Sequence, residues 1–187
     1  MRACILIRHG ETAMAGLFCG LSDPPLNAAG REQIRLATGM IGERPQIVYA
    51  SDLKRARESA ELVAAYFAVP LRLRTGLREI GFGEWEGLSW EQVEETFPAE
   101  ARAWADQYPY GVIRGGEVYD AFRMRVLKEM AFLLAEAKGH SLLAVTHGGF
   151  IRTVLTDLYA FTQVQAERSA ARYASIVRIP PHEGFAT

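Results

Sequence analysis

The chain has 187 residues, 49% of them apolar and 23% charged, with a formal net charge of −1. This composition is that of a globular protein and excludes a disordered or fibrous chain. A charge so near zero also excludes a global field that would draw in nucleic acid or an acidic membrane, so any anion must be held by local arrangement.

Ala3 to Ile7 are five consecutive apolar residues that run directly into Arg8, His9 and Gly10. A continuous apolar run, rather than an alternating one, predicts a strand buried on both faces. The run is too short for a signal peptide, and no stretch approaches the ~20 residues needed to cross a bilayer, so a cytoplasmic location is expected. Asn27 is placed to cap a helix with Ile34, Ala37 and Ile41 on one side. QIVYA at 46–50 predicts a second buried strand. A helix follows from about Asp52, its Leu53, Ala56, Ala60, Val63 and Phe67 keeping to one stripe.

Residues 76–88 contain four glycines and predict an ordered, functional loop. A further amphipathic helix is expected from Asp120 to Lys138, carrying Phe122, Val126, Met130 and Leu133 and closed by Gly139. SLLAVT at 141–146 predicts a third buried strand, leading through His147-Gly148-Gly149 into a helix from about Phe150. RYASIVRI at 172–179 predicts a last strand, ended by Pro180 and Pro181. Strands alternating with helices, without repeats or linkers, predict one domain over 1–187, an α/β sandwich with a mostly parallel sheet. The two cysteines, Cys4 and Cys19, fit neither a metal site nor a disulfide framework, and Cys4 reads as a small buried hydrophobe.

In open sheets of this kind ligands bind at the carboxyl ends of the strands. The first strand end brings Arg8, His9 and Gly10; the second brings Lys54, Arg55 and Arg57 in the first turns of a helix; the third brings His147, Gly148 and Gly149. Cations near a helix N-terminus oppose its dipole at a cost of roughly 0.3–1 kcal/mol each, which an anion between them would offset. Free N–H groups at a helix start are themselves an anion site. Each feature alone has a plainer reading: a satisfied polar histidine, an Arg55 paired with Glu58 or Glu11, a pair of packing glycines. Their coincidence at three strand ends favours a phosphate.

A phosphate-binding loop of the G-x-x-x-x-G-K-[ST] type is missing, neither cysteine has an arginine six positions on, and no cluster of carboxylates and histidines has metal-site spacing. The nucleophile that remains is imidazole, which can form a covalent intermediate.

RHGET at 8–12, SDLKRARESA at 51–60, LREIGFGEWEG at 77–87 and THGG at 146–149 resemble the histidine phosphatase superfamily, also called phosphoglycerate mutase-like. GLSDPPLNAAG at 20–30 and GGE at 115–117 resemble further segments of it. The resemblance implies a three-layer α/β/α sandwich and a role for each matching position. His9 would be the nucleophile; Arg8, Arg55 and His147 would clamp the phosphoryl oxygens with help from Gly148, and Gly20 would join the substrate site. Glu79 would give a proton to the leaving oxygen and then activate water. Read from its neighbours alone, Glu79 pairs with Arg78 or Arg74.

The resemblance implies no metal and no cofactor, and a small phosphomonoester as the partner; nucleic acid and membrane are not expected, and a homo-oligomer is left open. FGEWEG and the short, acidic segment from Leu88 to Tyr110 are similar to small phosphatases such as α-ribazole phosphatases rather than to mutases. Ala15, Leu21 and Val118 depart from residues common in those relatives. Phe82, Trp85, Trp90, Trp104 and Tyr108 are candidates for the mouth over the phosphate, or for plain packing. A mutase and a non-catalytic phospho-ligand module are the alternatives.

Overall fold

The computed structural model describes residues 4–180. Ala3 and Pro181, assigned above to the ends of the first and last strands, lie outside them. Five strands, β1 (Cys4–Arg8), β2 (Ile47–Ala50), β3 (Leu71–Leu73), β4 (Leu142–Thr146) and β5 (Ile176–Ile179), form one sheet in the order β3-β2-β4-β1-β5. All neighbouring pairs are parallel except β1–β5, which is antiparallel.

The continuous apolar runs have the expected consequence. In β1, Ile5 and Ile7 face one layer and Cys4 and Leu6 the other, and all four are buried. The first layer is α1 (Ala28–Gly39) and α2 (Lys54–Phe67), which set Ile34, Ala37, Ala56, Ala60 and Val63 against the sheet. The opposite layer is α5 (Tyr119–Glu136), α6 (Gly148–Tyr159) and α7 (Gln163–Ala170), contributing Phe122, Val126, Met130, Leu133, Phe150 and Val154. The architecture is therefore the three-layer α/β/α sandwich.

Several boundaries shift for local reasons. Asn27 caps α1 as expected, its side chain accepting from Gly30 N–H at 2.7 Å. Helix α2 begins at Lys54 rather than Asp52, whose carboxylate is held by Arg78. Helix α5 ends at Glu136 with Ala137 as its cap, so Gly139 does not close it. Helix α6 begins at Gly148, two residues earlier than expected. Only 176–179 of the predicted last strand pair with β1; residues 172–175 turn back instead, with Ala174 N–H on His9 O.

Sequence reading missed β3, α7 and two short helices, α3 (Trp90–Thr96) and α4 (Pro98–Gln107). Val93 and Ala101 of the last two join Trp85 and Ile113 in a satellite core, flanked by Phe18, Phe82, Trp90 and Trp104.

Candidate active site

The chain leaves β1 toward α1 on one face of the sheet and leaves the adjacent β4 toward α6 on the other. A crevice opens where neighbouring strands diverge in this way. The parallel register pairs Arg8 with Thr146, and His9 N–H donates to Thr146 O at 2.9 Å. His9 and His147 are therefore lateral neighbours, with ring centroids 5.0 Å apart.

His9 Nδ1 lies 2.7 Å from Gly10 O. A carbonyl can only accept, so Nδ1 carries the proton and Nε2 keeps its lone pair. Arg55 Nε donates to that Nε2 at 3.3 Å. Gly10 must lack a side chain, because a Cβ would lie 2.3 Å from Gly30 O. Burial, followed by the Arg55 and Arg8 charges, holds the His9 ring well below the usual histidine range. Burial, then Arg55, His9 and Arg8, does the same to His147. Both rings are neutral in the protein on its own, and neither nitrogen of His147 has a hydrogen-bond partner among the described residues.

This has a measurable effect on stability. An unfolded histidine titrates near ~6.5, so below that pH the unfolded chain binds protons that the folded chain refuses. Stability from these two rings is complete above that value and is lost as pH falls toward their lowered folded values. The slope is up to about 1.4 kcal/mol per pH unit for each ring. Urea unfolding between pH 7.5 and 5.5 should show the decline, and His147→Asn should flatten it; an equal slope in that variant would assign the loss to other groups.

Two guanidiniums border the rings. Arg55 is fully buried; its Nη1 donates to Ser22 O at 2.6 Å and its Nη2 to Gly20 O at 2.7 Å and Cys19 O at 3.1 Å. It is not paired with Glu58, which binds Arg31, nor with Glu11, which binds Asn27. Arg8 Nη1 donates to the carbonyls of Ala170 and Ala171, and its Nε is buried without a partner among the described residues. Its guanidinium lies over the Tyr173 ring, 4.4 Å from the centroid. Of the three basic residues expected at the start of α2, only Arg55 arrives. Arg57 faces outward toward Glu61, and Lys54 is anchored through its backbone to Asp23.

Glu79 is buried on the far side of His147. Its Oε2 accepts from Gly149 N–H at 2.8 Å and its Oε1 from Ile80 N–H at 3.0 Å. Arg74 binds Glu129 and Arg78 binds Asp52, so neither expected ion pair of Glu79 forms. A Cβ on Gly149 would sit 2.2 Å from Glu79 Oε1, so this position has to be glycine for the carboxylate to dock there. Arg125 fixes the segment by donating to the carbonyls of Gly76, Arg78 and Glu79. With Gly149 N–H committed, Gly148, the first residue of α6, supplies the helix-start N–H that has no intrahelical acceptor. Gly20 is brought to the site, but its N–H is taken by Glu86 and its carbonyl by Arg55.

Glu86 is the residue that sequence reasoning passed over. Its carboxylate accepts from the N–H groups of Gly20, Leu21, Ser22 and Phe82 and from the Ser22 hydroxyl. Burial acts to raise its pKa, but these donors outweigh burial and hold it below the usual carboxylate range. It therefore braces as an anion the loop whose carbonyls orient Arg55. Of the five aromatics left between pocket and packing, Phe82, Trp104 and Tyr108 line a cavity of about 270 Å³ beside the Glu79 segment, while Trp85 and Trp90 pack in the satellite core. Leu21 and Val118 are exposed on the rim side and do not line it. No group of three or more His, Cys, Asp or Glu side chains with metal-holding geometry occurs among the described residues, and no helix there is long and apolar enough to cross a membrane.

The chain is similar in sequence and fold to known proteins. The chain is 33% identical to a metal-independent phosphoserine phosphatase of Arabidopsis thaliana over 80% of its own length and 66% of the relative's. It is 31% identical to an adenosylcobalamin/alpha-ribazole phosphatase of Escherichia coli K12, over 82% and 77%. The crystal structure of an alpha-ribazole phosphatase from Shigella flexneri superposes with a TM-score of 0.85 at 27% identity, covering 99% of this chain and 93% of that one. The profile of the histidine phosphatase superfamily, branch 1, matches residues 4–187, and the chain belongs to that superfamily.

Proposed function

We propose that the protein is a metal-independent phosphomonoesterase that hydrolyses a small phosphorylated metabolite through a phosphohistidine at His9. The observation that carries this reading is a neutral His9 whose Nδ1 proton is fixed on Gly10 O, so that the lone pair of Nε2 opens into a bowl of cationic and unpartnered polar groups. Leaving a buried polar atom unpaired costs about 1–3 kcal/mol. Arg8 Nε and both nitrogens of His147 are three such atoms. A tetrahedral phosphoryl group offers acceptors to Arg8 Nε–H and to a ring N–H of His147.

The residues then divide the work. His9 Nε2 attacks phosphorus as the ester P–O bond breaks, and Arg55 Nε–H passes from that nitrogen to an equatorial oxygen. Arg8, Arg55, Gly148 N–H and a His147 ring, which takes up a proton from solvent because the neighbouring dianion favours its charged form, meet the charge spread over those oxygens. Glu79 gives its proton to the leaving oxygen. Each of its oxygens accepts one backbone N–H and keeps a second lone pair, so it can hold a proton without losing its anchor. Water then attacks the phosphohistidine, Glu79 takes up its proton, and phosphate departs with His9 neutral again. A cytoplasmic location and a single domain over the whole chain go with this reading.

The test is turnover of an aryl phosphate with a chelator present, followed by rapid quench with labelled ester. Retained turnover and a label stable to base but labile to acid are expected. Chelator-sensitive turnover, or a label of the opposite lability, would overturn the mechanism; interconversion of phosphoglycerates in place of hydrolysis would favour the mutase.

A further inference from the structure

The cavity is lined by Ile80 and by Gly149, whose N–H anchors the Glu79 carboxylate, so a leaving group protonated by Glu79 would lie at its edge. Its walls are Phe18, Phe82, Trp104, Tyr108, Tyr119 and Phe122. At about 270 Å³ it stands at the small end of ligand pockets, with room for one or two rings. Two lining residues carry charge, and both are already engaged. Glu117 is taken by Arg125 at 2.7 and 3.1 Å. Arg152 is drawn outward, its Nη1 donating to Glu167 Oε2 at 2.7 Å.

The second pair is built into the fold. Arg152 stands on the first turns of α6, and Glu167 on α7. Helix α7 is pinned at its start by a reciprocal Thr162–Gln165 capping box and along its length by the buried Ala166 and Ala170. The backbone that bears this carboxylate is thus held by a fixed helix, while the Glu167 side chain itself stays half exposed. A leaving group bearing its own carboxylate would enter aromatic walls beside Glu79 and Glu117 and would have to compete with Glu167 for the guanidinium. An unpaired charge in such surroundings is strongly disfavoured.

We propose that the Arg152–Glu167 pair is the charge selector of this cavity, admitting phosphate esters of neutral aromatic alcohols and refusing esters whose alcohol carries a carboxylate. The proposal rests on the phosphatase reading above and adds the class of leaving group. The selector acts on the alcohol portion and leaves phosphate binding to Arg8, Arg55 and His147.

The experiment compares kcat/KM for benzyl phosphate, ethyl phosphate and phosphoserine in the native protein, in Glu167→Gln, and in the double variant Arg152→Gln/Glu167→Gln. The native protein should favour benzyl phosphate over the other two by at least about ten-fold, the discrimination a pocket obtains from one or two filled apolar groups. Glu167→Gln should free Arg152 and lower the ratio of benzyl phosphate to phosphoserine by about ten-fold, the change appearing in KM for phosphoserine. The double variant should lose that gain. Native preference for phosphoserine, or a ratio unmoved in Glu167→Gln, would overturn the selector while leaving the phosphatase reading intact. No turnover of any of the three esters by the native protein would overturn both.

Discussion

His9→Ala is expected to abolish turnover, with kcat lowered by at least about 10⁴-fold, as for other nucleophiles that work within a concerted group. The same variant should fold. His9 sits at the ligand-facing end of β1, beyond the last apolar residue of the strand, and 6% of its surface is exposed. Arg55 Nε loses its acceptor, worth about 1–3 kcal/mol, so a modest fall in Tm is expected rather than unfolding. Arg55 keeps its three carbonyl partners and so its position. The variant should therefore still bind inorganic phosphate, through Arg8, Arg55, His147 and Gly148, while giving no labelled protein on quench. Measurable turnover by a folded His9→Ala protein would remove the covalent mechanism.

That experiment turns on a part of the structure that the sequence made legible. Ala3–Ile7 and Leu142–Val145 are unbroken apolar runs that lead into Arg8-His9 and Thr146-His147, so both histidines had to fall at strand ends. That β1 and β4 are immediate neighbours was not legible. Adjacency depends on which strands pair, which is decided by packing across the whole sheet, and the 5.0 Å separation of the rings follows from it. The reading of Lys54, Arg55 and Arg57 as three converging cations set aside one signal: the stripe of Ala56, Ala60 and Val63 turns Lys54 away from the inner face of α2. The same stripe leaves Arg55 and Arg57 about 100° to either side of Ala56, so the burial of Arg55 with Ser59 was not legible in it.

Helices α3 and α4 were harder. They are 7 and 10 residues long, with few apolar positions to set a period, and are held in place by contacts with Trp85, Phe18 and Phe82 from distant segments. Their capping signals, Ser89 with Gln92 and Pro98 in the first turn, were readable and went unused. Glu86 left no local trace, since three of its partners lie more than 60 positions away in the chain.

Glu79→Gln is expected to separate substrates by how much their leaving group needs a proton. An alkoxide leaves poorly without one, and general acid catalysis is worth about 10²–10⁴-fold, so kcat/KM for an alkyl phosphate should fall by that amount. A nitrophenolate leaves unaided, so kcat/KM for nitrophenyl phosphate, which covers steps only up to loss of the phenol, should fall by less than about ten-fold. Its kcat should nevertheless drop, because the same variant lacks the base that activates water against the phosphohistidine. Nitrophenol should then appear as a burst equal to the enzyme, followed by slow turnover. The geometry warns of one competing cause. Glu79 accepts a backbone N–H on each of its two oxygens, and an amide has an acceptor at only one of those two places, so the substituted side chain is free to lean away from Gly149. Simple displacement of the loop would harm every substrate alike and produce no burst. A uniform loss of kcat/KM across alkyl and aryl esters would thus end the acid role, and graded loss with a burst would place both proton transfers on this one carboxylate.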